Sequence, residues 1–107
     1  MVYVFDIDGT LCTKNDECDY SKAQPIKERI EVVNRLYDEG HEIFLFTARG
    51  MGRNNNNPLL AVQQFYQFTS EQMNEWRVKY HHLVLGKPAG DVYVDDKGLN
   101  DKRFFQD

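Results

Sequence analysis

Asp6 and Asp8 stand two residues apart where the apolar run Val2 to Phe5 gives way to Asp6-Ile7-Asp8-Gly9-Thr10. In an extended segment, residues i and i+2 project to one side, so both carboxylates face one point in space. Such a pair can hold a hard cation such as Mg²⁺ through oxygen ligands. One carboxylate can also attack phosphorus while the other exchanges protons with the leaving group and with water. For the pair alone, the competing reading is a solvated Asp-Gly turn. A second acid pair, Asp95-Asp96, follows Val92-Tyr93-Val94; adjacent acids ending a buried strand are costly unless a cation sits among them. Lys87, held between Gly86 and Pro88, can neutralise phosphate charge, although a lone surface lysine is ordinarily just solvated. Thr47, after Ile43-Phe44-Leu45-Phe46, offers a phosphate oxygen a hydroxyl and a backbone amide. Arg49 joins Thr47 and Lys87 as a candidate contact to the substrate, with Arg53, Tyr20 and Asn15 as weaker ones.

These residues need elements to position them. Val2 to Asp6 reads as a first strand, and its unbroken apolar character predicts a strand covered on both faces, as in a parallel sheet between helix layers. Gly9 supplies the freedom for a sharp exit, and residues 12–24 read as a polar excursion over the sheet edge. Pro25 suits the first turn of a helix whose apolar face is Ile26, Ile30, Val33, Leu36 and Tyr37, closed by Gly40. A second strand spans Glu42 to Phe46. Asn57 as N-cap and Pro58 at the first helical position start another helix through Leu59, Val62, Phe65 and Tyr66. Thr69 to Gln72 fits a capping box and predicts a further helix start there, carrying Met73, Trp76 and Tyr80 inward. His82 to Leu85 and Val92 to Val94 read as two more strands. Strand–helix alternation gives an α/β fold with a central parallel sheet. In such sheets ligands sit beyond the carboxyl ends of the strands, which is where the candidate residues fall.

The chain of 107 residues is expected to form one domain over residues 1–107. A hydrophobic fraction of 41% with 28% charged residues describes an ordinary globular composition. Seventeen acids against 13 Lys and Arg, net −4, make a poor footprint for nucleic acid. No transmembrane run and no signal peptide are visible, so the expected location is cytoplasmic with no membrane partner. Cys12 and Cys18 lack CxxC spacing and read as reduced, incidental thiols. His41, His81 and His82 show no zinc spacing.

Taken in order, DIDGT at 6–10, LFTARG at 45–50, GKP at 86–88 and VYVDD at 92–96 resemble the four motifs of the haloacid dehalogenase superfamily of phosphohydrolases. The closest likeness is to its small capsule- and lipopolysaccharide-biosynthesis phosphatases. The resemblance implies a three-layer, Rossmann-like fold with no cap domain, because too few residues lie between the motifs to form one. It implies Asp6 as nucleophile and Asp8 as general acid, then base. Thr47, Lys87 and Arg49 would contact the substrate, and Mg²⁺ would be held by Asp6, Asp8 (through its carbonyl), Asp95 and Asp96. The activity so implied is hydrolysis of a small phosphorylated metabolite such as a sugar phosphate. A polynucleotide end-phosphatase and a catalytically silent phosphate-binding domain are the alternatives. Without a cap, the site is open or is covered by a neighbouring subunit, and the latter predicts a homo-oligomer. Phe104 and Phe105 are expected to dock at the sheet edge or on that neighbour, and a fifth core strand is expected to be absent.

Overall fold

A computed structural model describes residues 1–106. The chain runs β1 (Val2–Phe5), α1 (Lys27–Asp38), β2 (Glu42–Thr47), α2 (Pro58–Glu75), β3 (His82–Leu85) and a short α3 (Asp101–Phe105). The three strands form one parallel sheet in the order β1-β2-β3. The register matters for function. Phe5 pairs with Leu45 and Thr47 with Leu85, so Asp6, Thr47 and Lys87 emerge side by side at the carboxyl edge.

One face of the sheet presents Phe5, Ile43, Leu45, Leu83 and Leu85 to Ile30 and Val33 of α1 and Met73 of α2, all buried in a single core. Phe104 and Phe105 of α3 close that core at β1, with ring centroids 5.6 and 6.0 Å from Phe5. They therefore dock on the chain's own sheet. Arg29 anchors α3 by pairing with Asp101 at 2.6 Å and lying 4.8 Å from the Phe105 ring centroid; the same guanidinium donates to the Thr10 carbonyl at 3.1 Å. The turn carrying Asp8 is thus tied to the last helix. Val2 and Val4, on the opposite face of β1, stay 58% and 60% exposed, so among the described residues β1 is covered on one side, not on both.

Helix boundaries follow local chemistry. Asn57 caps α2, its Oδ1 accepting from the Leu59 and Leu60 amides with Pro58 at the first turn, and Gly40 at φ +93° ends α1. Three further expectations are corrected. Helix α1 begins at Lys27 because Pro25 is bridged to Cys12 in extended conformation and the Ile26 amide donates to the Leu11 carbonyl. No new helix starts at Thr69; α2 runs through it to Glu75, and the buried Thr69 hydroxyl accepts from Arg49 Nη1 instead of capping. Trp76 and Tyr80 follow the helix and still pack on the core.

The third correction bears on the site. Val92-Tyr93-Val94 forms no strand, and these side chains are 75%, 52% and 89% exposed. The Tyr93 hydroxyl closes a local loop instead, donating to the Pro88 carbonyl and accepting from the Gly90 amide. Asp95 then turns the chain by accepting from the Lys97 and Gly98 amides. Among the described residues no helix is long and apolar enough to cross a membrane.

Candidate active site

β1 delivers Asp6 to the carboxyl edge of the sheet, and a tight turn follows at once. The Thr10 and Leu11 amides fold back onto the Ile7 carbonyl, with Gly9 at φ +82°. Had Gly9 a Cβ, it would lie 3.2 Å from the Lys14 side chain, whose stem runs across the turn. Asp6 borders a cavity of about 610 Å³ shared with Asp8, Lys14, Arg53, Lys87 and Tyr93, a size suited to a small ligand. Burial pushes the Asp6 carboxyl above its ordinary range, against the opposing pull of the Lys87 ammonium and the Ile7 amide. Lys87 Nζ stands 3.7 Å from Asp6 Oδ1 and 4.5 Å from the Tyr93 ring centroid. The loop bearing Lys87 is fixed by its own amide, which donates to the Thr47 carbonyl.

Asp8 is held differently. Arg49 Nε donates to Asp8 Oδ2 at 2.9 Å and Nη2 donates to Oδ1 at 3.0 Å, the bidentate geometry that the planar guanidinium favours. The Cys12 thiol donates to the same Oδ1 at 3.4 Å. Burial first, then the Asp8 charge, pushes that thiol up to about 12, so it stays a neutral donor. Both cysteines are free, Cys12 buried and Cys18 exposed.

Arg49 is 1% exposed. Beyond Asp8 it reaches the Thr69 hydroxyl through Nη1 and stacks 4.7 Å from the Tyr20 ring centroid. Expected at the phosphate, it borders the same cavity, with its side-chain donors directed to Asp8 and Thr69. Thr47 is also buried, its hydroxyl accepting the Arg49 amide, and Ala48 borders the cavity in its place. Arg53 stacks over Tyr20 and Phe65 and donates to the Cys18 carbonyl. Residues 13–20 thereby wall the cavity from within the chain.

Gly50 permits this packing. At φ +79°, a Cβ there would meet the Phe65 ring at 2.6 Å and the Ala61 backbone at 3.2 Å. Gly50→Ala is expected to cost about 2–4 kcal/mol from left-handed strain plus overpacking, read as a lowered midpoint in urea. An unchanged midpoint would show that α2 yields freely.

Asp95 and Asp96 do not reach the cavity. Both are exposed, with Asp95 drawn below the usual carboxylate range by the Lys97 and Gly98 amides that it caps. Among the described residues no three acids, histidines or cysteines are grouped to hold a metal. Of the four acids expected to bind one, Asp6 and Asp8 border the cavity, with the Asp8 carboxylate taken by Arg49 so that only its carbonyl would serve a cation, while Asp95 and Asp96 lie outside the cavity lining.

The profile of a haloacid dehalogenase-like hydrolase family matches residues 3–75. The chain belongs to that family. A crystal structure from Vibrio cholerae resembles this hydrolase at 28% identity and TM-score 0.87, over 97% of this chain and 86% of that one. Two structures of the Pnkp1/Rnl/Hen1 RNA repair complex share the fold, at 15% identity with TM-scores of 0.59 and 0.58. This hydrolase covers 29% of the chain matched in each. The comparison with curated proteins returned no match.

Two site residues escaped the sequence reading. Cys12 carries no signal that distinguishes it from an incidental thiol. Lys14 had one, since a lysine five residues after Gly9 in a short loop cannot travel far from the turn.

Proposed function

We propose that this hydrolase is a phosphomonoester phosphatase working through an aspartyl-phosphate on Asp6. The observation that carries the reading is Asp6 itself: a carboxylate bordering a ligand-sized cavity, with Lys87 3.7 Å away and Asp8 in the same wall. Asp6 Oδ attacks phosphorus, the bond from phosphorus to the leaving oxygen breaks, and a proton from the Asp8 carboxyl goes to that oxygen. Water then attacks the phosphoryl group, Asp8 takes its proton, and phosphate leaves with Asp6 regenerated. Lys87 offsets the charge gathered around Asp6, and Lys14, across the Gly9 turn, adds to it.

A small phosphorylated metabolite such as a sugar phosphate is the substrate class we favour. A recess of about 340 Å³ adjoins the cavity and shares Glu17, Asp19, Tyr20 and Arg53 with it, with Gln64 beyond. Carboxylates, an amide and an aromatic edge suit a polyhydroxylated leaving group. A panel of sugar phosphates, aryl phosphates and 3′-phosphorylated oligonucleotides tests this. Preference for the oligonucleotides would move the reading to an end-phosphatase, and phosphate binding without any turnover would move it to a silent domain.

Lys87→Met removes the largest influence drawing the Asp6 pKa down. The carboxyl then rises further, less of it is ionised at a given pH, and the acid limb of kcat/KM moves to higher pH. A uniform loss with the limb unmoved would confine Lys87 to the phosphate.

A further inference from the structure

We propose that Arg49 is the positioning residue of Asp8, and that Tyr20 links this positioning to the docking of residues 12–24. The inference rests on the reading of Asp8 as acid and base. A carboxylate on a turn has two free side-chain torsions, and proton transfer requires it within hydrogen-bond reach of the leaving oxygen. In this site the two torsions are fixed from one direction. Arg49 grips both oxygens at 2.9 and 3.0 Å, and the Cys12 thiol adds a third donor to Oδ1. Asp8 keeps 16% of its side chain exposed while the Arg49 side chain keeps none, so a substrate meets the carboxylate and not the guanidinium.

Arg49 is itself immobilised by elements far apart in sequence. Its amide donates to the Thr47 hydroxyl at the end of β2, and Nη1 donates to Thr69 on α2. Its plane lies against Tyr20 from the first loop, with the Phe68 ring farther off at 6.0 Å. Tyr20 reports on that loop twice more: its hydroxyl accepts the Gly50 amide and its carbonyl accepts from Gln72 Nε2. Loop, second strand and α2 therefore converge on one guanidinium, and that guanidinium sets one carboxylate. A lysine cannot substitute, because an ammonium is a point donor without the planar fork.

The test compares an alkyl phosphate, whose leaving group needs a proton, with nitrophenyl phosphate, whose leaving group does not. Arg49→Lys is expected to lower kcat/KM for the alkyl ester about 100-fold, the scale of a 1 Å misplacement, and for the nitrophenyl ester by less than about ten-fold. In an Asp8→Asn background, Arg49→Lys should cost nothing further against nitrophenyl phosphate, since its effect runs through Asp8. Should Arg49→Lys fail to fold by circular dichroism, Tyr20→Leu decides: it removes the stack, keeps the guanidinium, and is expected to show the same selectivity at about ten-fold. Equal losses on both esters, full rescue by lysine, or a further loss on top of Asp8→Asn would overturn the proposal. Absence of turnover in the unmodified enzyme would instead bring down the phosphatase reading and this inference with it.

Discussion

Asp6→Asn is expected to abolish turnover and, in the same protein, to raise thermal stability at neutral pH. Removing the nucleophile should lower kcat by on the order of 10⁴-fold or more, the scale seen when a covalent catalyst loses its attacking group. No acid-stable phosphoenzyme should form. The stability effect has an independent origin. Burial dominates the Asp6 environment and raises its carboxyl above the ordinary 3.8, even though Lys87, the Ile7 amide and Lys14 all draw it down. A carboxyl whose pKa is higher in the folded state than in the unfolded chain favours folding while protonated and loses that contribution as pH rises. At pH 7 the native protein therefore carries the cost of an incompletely compensated anion, and asparagine does not. The melting-temperature advantage of Asp6→Asn should shrink as pH falls through the raised Asp6 value toward 3.8. A variant retaining more than a few per cent of activity would rule out the covalent route. A variant less stable than the parent at pH 7 would mean that the Lys87 attraction outweighs burial.

How much of this was legible in the residues alone depends on what each signal encoded. Period and punctuation carried the frame. β2 and β3, the Asn57-Pro58 start and the Gly40 stop fall where sequence logic puts them, since local conformational preference and the core agree there. Thr69 shows where that logic ends: the capping-box pattern is real, but a buried arginine from the loop before α2 takes the hydroxyl and the helix continues. Arg49 was visible as a charged residue beside a phosphate motif. Its actual direction depends on Tyr20 and Asp8, 29 and 41 positions earlier in the chain. No spacing rule encodes such a contact. Val92-Tyr93-Val94 has the composition of a strand, yet strand formation requires a partner edge, and here Tyr93 satisfies its hydroxyl within its own loop.

Chelation is the second large effect expected, and it bears on that same segment. A phosphate dianion entering the cavity meets the Asp6 carboxylate, with Arg49 already committed to Asp8 and Lys87 the nearest remaining cation to Asp6. At separations near 4 Å and an effective dielectric of about 20, each unscreened like-charge contact costs about 4 kcal/mol, a load that Lys87 and Lys14 share. We propose that a divalent cation at Asp6 offsets the remainder. Activity should therefore vanish in chelator and return with Mg²⁺, and Ca²⁺, with its looser and more numerous ligands, should inhibit. Because protons compete for the raised Asp6 carboxyl, the Mg²⁺ concentration needed should increase as pH falls. Full activity in chelator would remove the metal from the reading. Hydrogen exchange then separates two ways of holding the ion. If Asp95 and Asp96 join Asp6, exchange in residues 91–98 changes on adding Mg²⁺, and the Lys97 and Gly98 amides lose protection because Asp95 must release them. If exchange there is unchanged while activity still requires Mg²⁺, Asp6, water and the substrate's own oxygens complete the coordination. That arrangement accords with the preference of Mg²⁺ for retaining several waters, and the exposed acid pair would then have no part in the chemistry.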